Sequence, residues 1–363
     1  MGILIGSMAV LWAVASSGAA AAPVVFNGAS DASAAIGLDA EHFVMADDEN
    51  NTLRVYRLDT PSEPVRQFNL DSVLSVDDRW PEADIEGAAR IGDRIYWITS
   101  HGRNTDGKER PNRYALFATD IAVDAEGALT LKPVGRPYRG LAEDFAHHPA
   151  MQFLRLGNVI RLGESLTKKE QAALAPKEKG LNIEGLAAGP DGSLLIGLRN
   201  PVYNDPVGKR DKAIVLVLCN PEAMVMTGKA AEFAAPVLLD ADGLGVRSLE
   251  RIGPARYIVA AGGANGKNKF AFYEWAGEGS ALKRLEVELT KDFTPEAVFQ
   301  VPGTETVWVL SDDGTLEKPV GGAGDCLPGE LLENGMCPNK FLADAGRRTF
   351  RAILFELSVD GKQ

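Results

Sequence analysis

A short motif recurs along this 363-residue chain, and its spacing constrains the fold more than any other feature. A polar residue, a variable one and a Glu come first, in most copies before a small residue, and a pair of strand-like runs follows. Asp84-Ile85-Glu86-Gly87 precedes runs over 88–92 and 94–100, and Asn182-Ile183-Glu184-Gly185 precedes runs over 186–189 and 193–198. Ser248-Leu249-Glu250-Arg251 and Thr294-Pro295-Glu296-Ala297 repeat the arrangement, while Asp31-Ala32-Ser33-Ala34 carries Ser in place of Glu. A repeat of about 50 residues, built from units that bury their faces only by stacking on neighbours, predicts an all-β fold, a β-propeller. The carboxylates should then ring its axis.

Short runs rich in Val, Ile, Leu, Phe and Tyr, separated by polar turns, give four strands per unit. They fall at 33–38, 42–47, 52–58 and 65–70, then at 87–92, 94–100, 113–123 and 129–134. The third unit spans 185–189, 193–198, 213–219 and 236–239, and the fourth 250–253, 256–261, 270–275 and 282–288. The fifth has only 297–301, 306–310 and 349–357, and Val24-Val25-Phe26 is expected to supply its missing strand. That exchange would close the ring and protect both end strands from edge pairing. Five four-stranded blades are predicted, with six as the alternative. The alternative turns on 136–181, which is either an elaborated loop, the favoured reading, or a degenerate blade. Within it Thr167 and Glu170 form a capping box for a short helix stopped by Pro176. Phe153-Leu154-Arg155-Leu156 and Val159-Ile160-Arg161-Leu162 are strand candidates.

Residues 1–22 are almost wholly apolar or small and read as a secretory signal peptide, leaving 23–363 as a single propeller domain. No basic residue precedes the apolar run, so an uncleaved anchor is the alternative, although its Ala, Gly and Ser content makes a poor spanning helix. The expectation is a monomer in the periplasm or secreted, free of the membrane after cleavage. Cys326 and Cys337 bracket a Gly- and Pro-bearing loop and are expected to form a disulfide, in keeping with export. Cys219 ends an apolar run and is expected as a buried thiol. With 38 basic against 50 acidic residues the net charge is −12, which argues against nucleic acid or anionic membrane as partners.

In a propeller the start of each inner strand and the loop between the second and third strands share one face, so polar residues from both should meet at one mouth. Glu86, Glu184, Glu250 and Glu296 are the metal-ligand candidates, and Ser33, Asp47, Asp48, Asn200 and Asp312 the ligand-binding ones. Carboxylates crowded at an axis repel, and a hard cation with oxygen ligands, Ca²⁺ ahead of Mg²⁺, relieves them. Interleaved Arg103, Arg199 and Arg251 would do the same without metal, leaving the glutamates a structural role. His101 is a candidate general base or metal ligand, a mouth Glu being the alternative base, with Arg103 or Arg199 holding an anion. The charged loop 106–113 is a candidate to embrace an anionic substrate. No nucleophile elbow, phosphate loop or dinucleotide fingerprint is present, so no organic cofactor is expected.

The strings Asp84-Ile85-Glu86-Gly87-Ala88 with 98–104, and Asn182-Ile183-Glu184-Gly185-Leu186 with 197–201, resemble a bacterial family known only as a domain of unknown function. The resemblance extends to Asp31-Ala32-Ser33-Ala34 and Ala46-Asp47-Asp48-Glu49 and covers nearly all of the mature chain. It implies a β-propeller. The Asp-x-Glu-Gly motif is also similar to that of phytase-like esterase propellers, which implies a carboxylate-lined, Ca²⁺-binding channel. Two functional expectations follow: a divalent-cation-dependent hydrolase of phosphate or carboxylate esters taking a small anionic or ester ligand, or a non-catalytic propeller that binds a ligand or protein.

Overall fold

The computed structural model describes residues 22–176, 179–207, 211–264 and 269–357. The expected signal peptide, all but Ala22, lies outside the described residues. Five four-stranded antiparallel sheets follow one another around a ring. Blade one runs Ala32–Gly37, His42–Asp47, Thr52–Arg57 and Arg66–Asn69, from the axis outward. Blade two is Ile85–Ile91, Arg94–Thr99, Leu116–Val123 and Leu129–Tyr138; blade three is Asn182–Ala188, Leu194–Asn204, Asp211–Leu218 and Val237–Leu239. Blade four is Gly245–Gly253, Arg256–Gly262, Phe270–Trp275 and Leu282–Leu285. Blade five takes Pro295–Gln300, Thr306–Ser311 and Thr349–Glu356 from the end of the chain, and Val24–Asn27 from its beginning pairs outside them. The ring is thus closed as the lone N-terminal strand predicted.

Inner and middle strands are buried on both faces because neighbouring blades stack on them, so their apolar residues run almost continuously rather than alternating. The outermost strands of blades one and four are exposed or half-buried. The seams between blades hold the core. One seam joins Phe26, Phe43, Tyr56, Phe299 and Phe350 between blades five and one. Another joins Ile98, Leu116, Leu186, Ile196 and Leu216 between blades two and three.

The segment 136–181 is not a sixth blade. After the outer strand of blade two it forms a helix at Leu141–His147, a 3-10 turn at Pro149–Leu154, and short helices at Gly157–Ile160 and Lys168–Ala173. The two expected strands are corrected to these turns. Phe145, Met151, Leu156 and Ile160 are buried at turn-like spacing onto the seam between blades two and three, a pattern that serves a turn better than a strand. The capping box of Thr167 and Glu170 is formed. Cys326 and Cys337 are bonded, and Cys337 lies on one strand of a small hairpin of Glu317–Pro319 and Met336–Pro338. Cys219 is exposed rather than buried, because it lies one residue beyond buried Leu218, at the strand end. Among the described residues no helix is long and apolar enough to cross a membrane.

Candidate functional site

Each inner strand slips register at the same depth, and one residue per blade is left unpaired there. In blade one Ala32 pairs Asp47 and Ala34 pairs Ala46, which displaces Ser33. In blade two Ile85 pairs Thr99 and Gly87 pairs Ile98, displacing Glu86. The same break displaces Glu184 in blade three and Glu296 in blade five. A bulge of this kind re-aims its side chain and ends regular pairing. In blade four Val246 pairs Ala261 and Ser248 pairs Ala260, so the displaced residue is Arg247. The Glu250 assignment is therefore corrected by three positions. Glu250 pairs Ile258 farther along the strand, and its Oε1 accepts from the Gln300 amide of blade five at 3.1 Å. Removal from water pushes its carboxyl up to about 8. The ring of bulges reads Ser33, Glu86, Glu184, Arg247, Glu296.

Blade three slips twice, leaving Arg199 displaced opposite Glu184. Arg199 Nη1 meets Glu184 Oε1 at 2.5 Å, Asn182 Nδ2 donates to the same oxygen at 2.7 Å, and Arg247 Nε stands 3.4 Å from Glu184 Oε2. Arg247 also pairs with Glu296. Near blades three, four and five the glutamates are thus answered by two guanidinium groups.

Toward blades one and two the balance differs. A cavity of about 760 Å³ opens at the mouth, lined by nine acidic and six basic side chains. Ligand oxygens of Asp48, Asp84 and Glu86 lie within 4.8 Å of one another. Glu86 also belongs with Glu184 and Glu296, and Asp48 with Asp31 and Glu49, in two further groups of the same compactness. Glu86 is 6 % exposed, and its Oε2 has no hydrogen-bond partner, nor does Asp48 Oδ1. Burial, then the neighbouring Asp84 and Glu184, holds the Glu86 carboxyl well above its ordinary range. Burial and then Asp31, Glu86 and Asp312 do the same for Asp48. Asp31 is pushed up to about 9 by burial and by Asp312 beside it. Asp84 is raised by burial although Arg113 Nη1 stands 3.0 Å from its Oδ2. Glu82, paired with Arg113, rises to about 7 through burial and the charge of Asp84.

Of the residues expected at the mouth, Glu86, Glu184, Glu296, Asp48, Asp312, Arg103 and Arg199 line this cavity. Ser33, Asp47, Asn200, His101 and Glu250 are not among its lining. Ser33 Oγ donates to Ile85 O at 2.5 Å and ties blade one to blade two. Asp47 is buried and accepts from the amides of Ser30 and Glu49. Asn200 Nδ2 donates to Pro176 O at 2.9 Å. His101 has a left-handed backbone (φ 52°), holds Thr99 O through Nδ1 at 2.8 Å and packs edge-on to Tyr114. Burial lowers its pKa to about 4 and keeps it neutral. Arg103 lines the wall but spends its guanidinium on Glu109 and on the carbonyls of Gly107, Ile160 and Arg161, tying the mouth loop to the inserted segment. Sequence reasoning missed Asp31, Glu82, Asp84, Arg247 and Lys340, whereas Arg110 and Arg113 belong to the charged loop 106–113 that it had singled out. Asp31 and Asp84 were open to view as the first residues of their motifs. Arg247 was hidden by the Glu three positions on.

The fold and the mouth together define a five-bladed β-propeller with a carboxylate-rich, partly arginine-neutralised channel opening. The chain belongs to a family described as protein of unknown function (DUF3616), whose model matches residues 31–307. No curated protein matches it. Among solved structures it is similar to the Myxococcus xanthus glutaminyl cyclase, at 10 % identity over 94 % of this chain and 97 % of that one, with a TM-score of 0.41. It is similar to a GH43_1 enzyme from Xanthomonas citri at 11 % identity, over 94 % and 92 % of the two chains, with a TM-score of 0.45. A gluconolactonase from Xanthomonas campestris gives 17 % identity over 81 % and 74 %, with a TM-score of 0.35.

Proposed function

We propose that the protein is a divalent-cation-dependent hydrolase of phosphate or carboxylate esters, with Ca²⁺ held by Asp48, Asp84 and Glu86. The observation that carries this reading is Glu86: buried, shared between two carboxylate groups, and with one oxygen lacking any partner. A buried carboxylate left so is costly unless it is protonated or meets a cation. An all-carboxylate oxygen set from two blades suits Ca²⁺, which accepts irregular oxygen shells, ahead of Mg²⁺, which needs a tight octahedron. A bound divalent ion would supply Lewis acidity and a water of lowered pKa.

The chain's own residues do the remainder. Arg113 orients Asp84 and Glu82 at once, and Glu82, on the cavity wall, is placed to accept the proton of the attacking water. Water would add across the ester bond to give the acid and the alcohol, and Glu82 would return the proton it took from the water to the leaving alcohol oxygen. The disulfide supports a place in the periplasm or outside the cell. A second reading, a binding propeller without chemistry, is favoured by one observation, the withdrawal of His101 from the mouth.

Thermal melting with Ca²⁺ and with chelator tests the cation. At a hundred times Kd the gain is about 2.7 kcal/mol, or roughly 4 °C for a domain this size. Glu86→Gln is expected to lose that gain. Assays on phosphate and carboxylate esters, with Glu82→Gln as the comparison, test the chemistry. Turnover unaffected by Glu82→Gln removes Glu82 from the mechanism; no turnover on either class, with Ca²⁺ bound, favours the binding reading.

A further inference from the structure

Of the six basic side chains on the cavity wall, five are already spoken for. Arg199 and Arg247 answer Glu184 and Glu296, Arg113 answers Glu82 and Asp84, and Lys340 meets Glu49 at 2.6 Å. Arg103 is held by Glu109 and three carbonyls. Arg110 is the exception: it has no carboxylate partner among the described residues. Its Nη1 donates to Glu109 O at 3.0 Å, and its guanidinium carbon lies 5.6 Å from the centroid of the Trp80 ring. Arg79 lies over the same ring at 4.7 Å but is fixed by Asp77 and does not line the cavity. Arg110 is therefore steered by an aromatic face, which leaves most of its donors free, rather than by an acid, which would consume them.

The charge of the cavity gives this side chain a use. Nine acids against six bases make an opening that repels anions, and a bound divalent ion would offset most of that excess. Resting on the cation reading above, we propose that Arg110 and the bound cation form a two-point subsite for a phosphate ester. A phosphoryl group offers separate anionic oxygens to the metal and to a guanidinium fork. A neutral carboxylic ester offers one uncharged carbonyl and would leave Arg110 without a counterpart. The substrate class thus narrows from esters in general to phosphate esters.

The test is calorimetric titration of submillimolar inorganic phosphate into the full chain, with Ca²⁺ and with chelator. Phosphate should bind the Ca²⁺-loaded protein and not the chelated one. Arg110→Ala should weaken it about tenfold or more, the usual weight of a charged, forked hydrogen bond. Arg79→Ala should leave it unchanged, and both variants should keep the wild-type Ca²⁺ affinity, which also shows that they are folded. Phosphate affinity that survives Arg110→Ala, or that is the same with chelator, overturns the subsite while leaving the cation site standing. Failure of Ca²⁺ itself to bind refutes the cation reading, and the subsite falls with it.

Discussion

Glu86 is buried among acids, with one carboxylate oxygen unpartnered. Its neighbours Asp48 and Asp84 are acids, and the nearest arginines are committed to Glu184, Glu296 and Glu82. Without a cation, relief comes from protons, so Glu86→Gln should raise the melting temperature of the chelated protein at neutral pH while removing its response to Ca²⁺. The wider pH dependence has the same origin. Glu250 titrates from about 4.5 unfolded to about 8 folded, and Asp31 from 3.8 to about 9. A carboxyl raised on folding binds its proton more tightly in the native state. Its stabilisation is therefore complete below the unfolded pKa and is lost as pH rises toward the folded one. The chelated protein should melt progressively lower from about pH 5 to about pH 9, and Glu250→Gln should make that slope shallower. A slope unchanged in Glu250→Gln would contradict the burial assigned to its carboxyl. Such residue-level roles were only partly legible in the sequence. A polar residue two before each Glu pointed at Asp84. The backbone turn that folds His101 back onto Thr99 O left no mark a sequence reading could use.

At the scale of the element, the inner strand is defined by what it excludes. A Cβ on Gly185 would stand 2.6 Å from Val246 Cγ1, and one on Gly245 would stand 2.0 Å from the backbone oxygen of Arg199. The inner strand of blade four approaches the inner and second strands of blade three too closely at these points for any side chain. Gly245→Ala should cost about 1–3 kcal/mol, the usual range for overpacking, and more than Gly185→Ala, because backbone yields less than a side chain. Urea denaturation checks the order, and equal or negligible losses would contradict the close packing. The spacing of the repeat was legible because each strand pair must begin with a polar residue and continue apolar. The register of blade four was not. Gly245-Val246-Arg247 keeps the bulge but lacks an acid, while Ser248-Leu249-Glu250 keeps the acid but sits inside the ladder. A carboxylate ring that includes an arginine obeys the electrostatics of the axis rather than the repetition of a motif.

For the whole molecule, ring closure depends on an exchange between the two ends of the chain. Phe26, on the first strand among the described residues and the outermost of blade five, is fully buried, stacks on Phe350 at 5.2 Å and meets Phe43 of blade one edge-on at 5.2 Å. Phe26→Ala should therefore cost about 3–5 kcal/mol and lower the stability of all five blades in one transition; a separate early transition confined to blade five would contradict that coupling. The five-blade count was legible because the lone Val24-Val25-Phe26 run completed the three strands of the last unit. The inserted segment was less so, since turn-like and strand-like apolar spacing converge in short runs such as 153–162. The closed ring matters for function because it fixes Asp48 of blade one against Asp84 and Glu86 of blade two. The most direct test of the account is calorimetric titration of Ca²⁺ into chelator-treated protein near neutral pH, for wild type and Glu86→Gln. The account predicts saturable binding to the wild type, with proton release because the carboxyls are raised, and its loss in Glu86→Gln. No binding to the wild type, or binding of equal strength in Glu86→Gln, would contradict it.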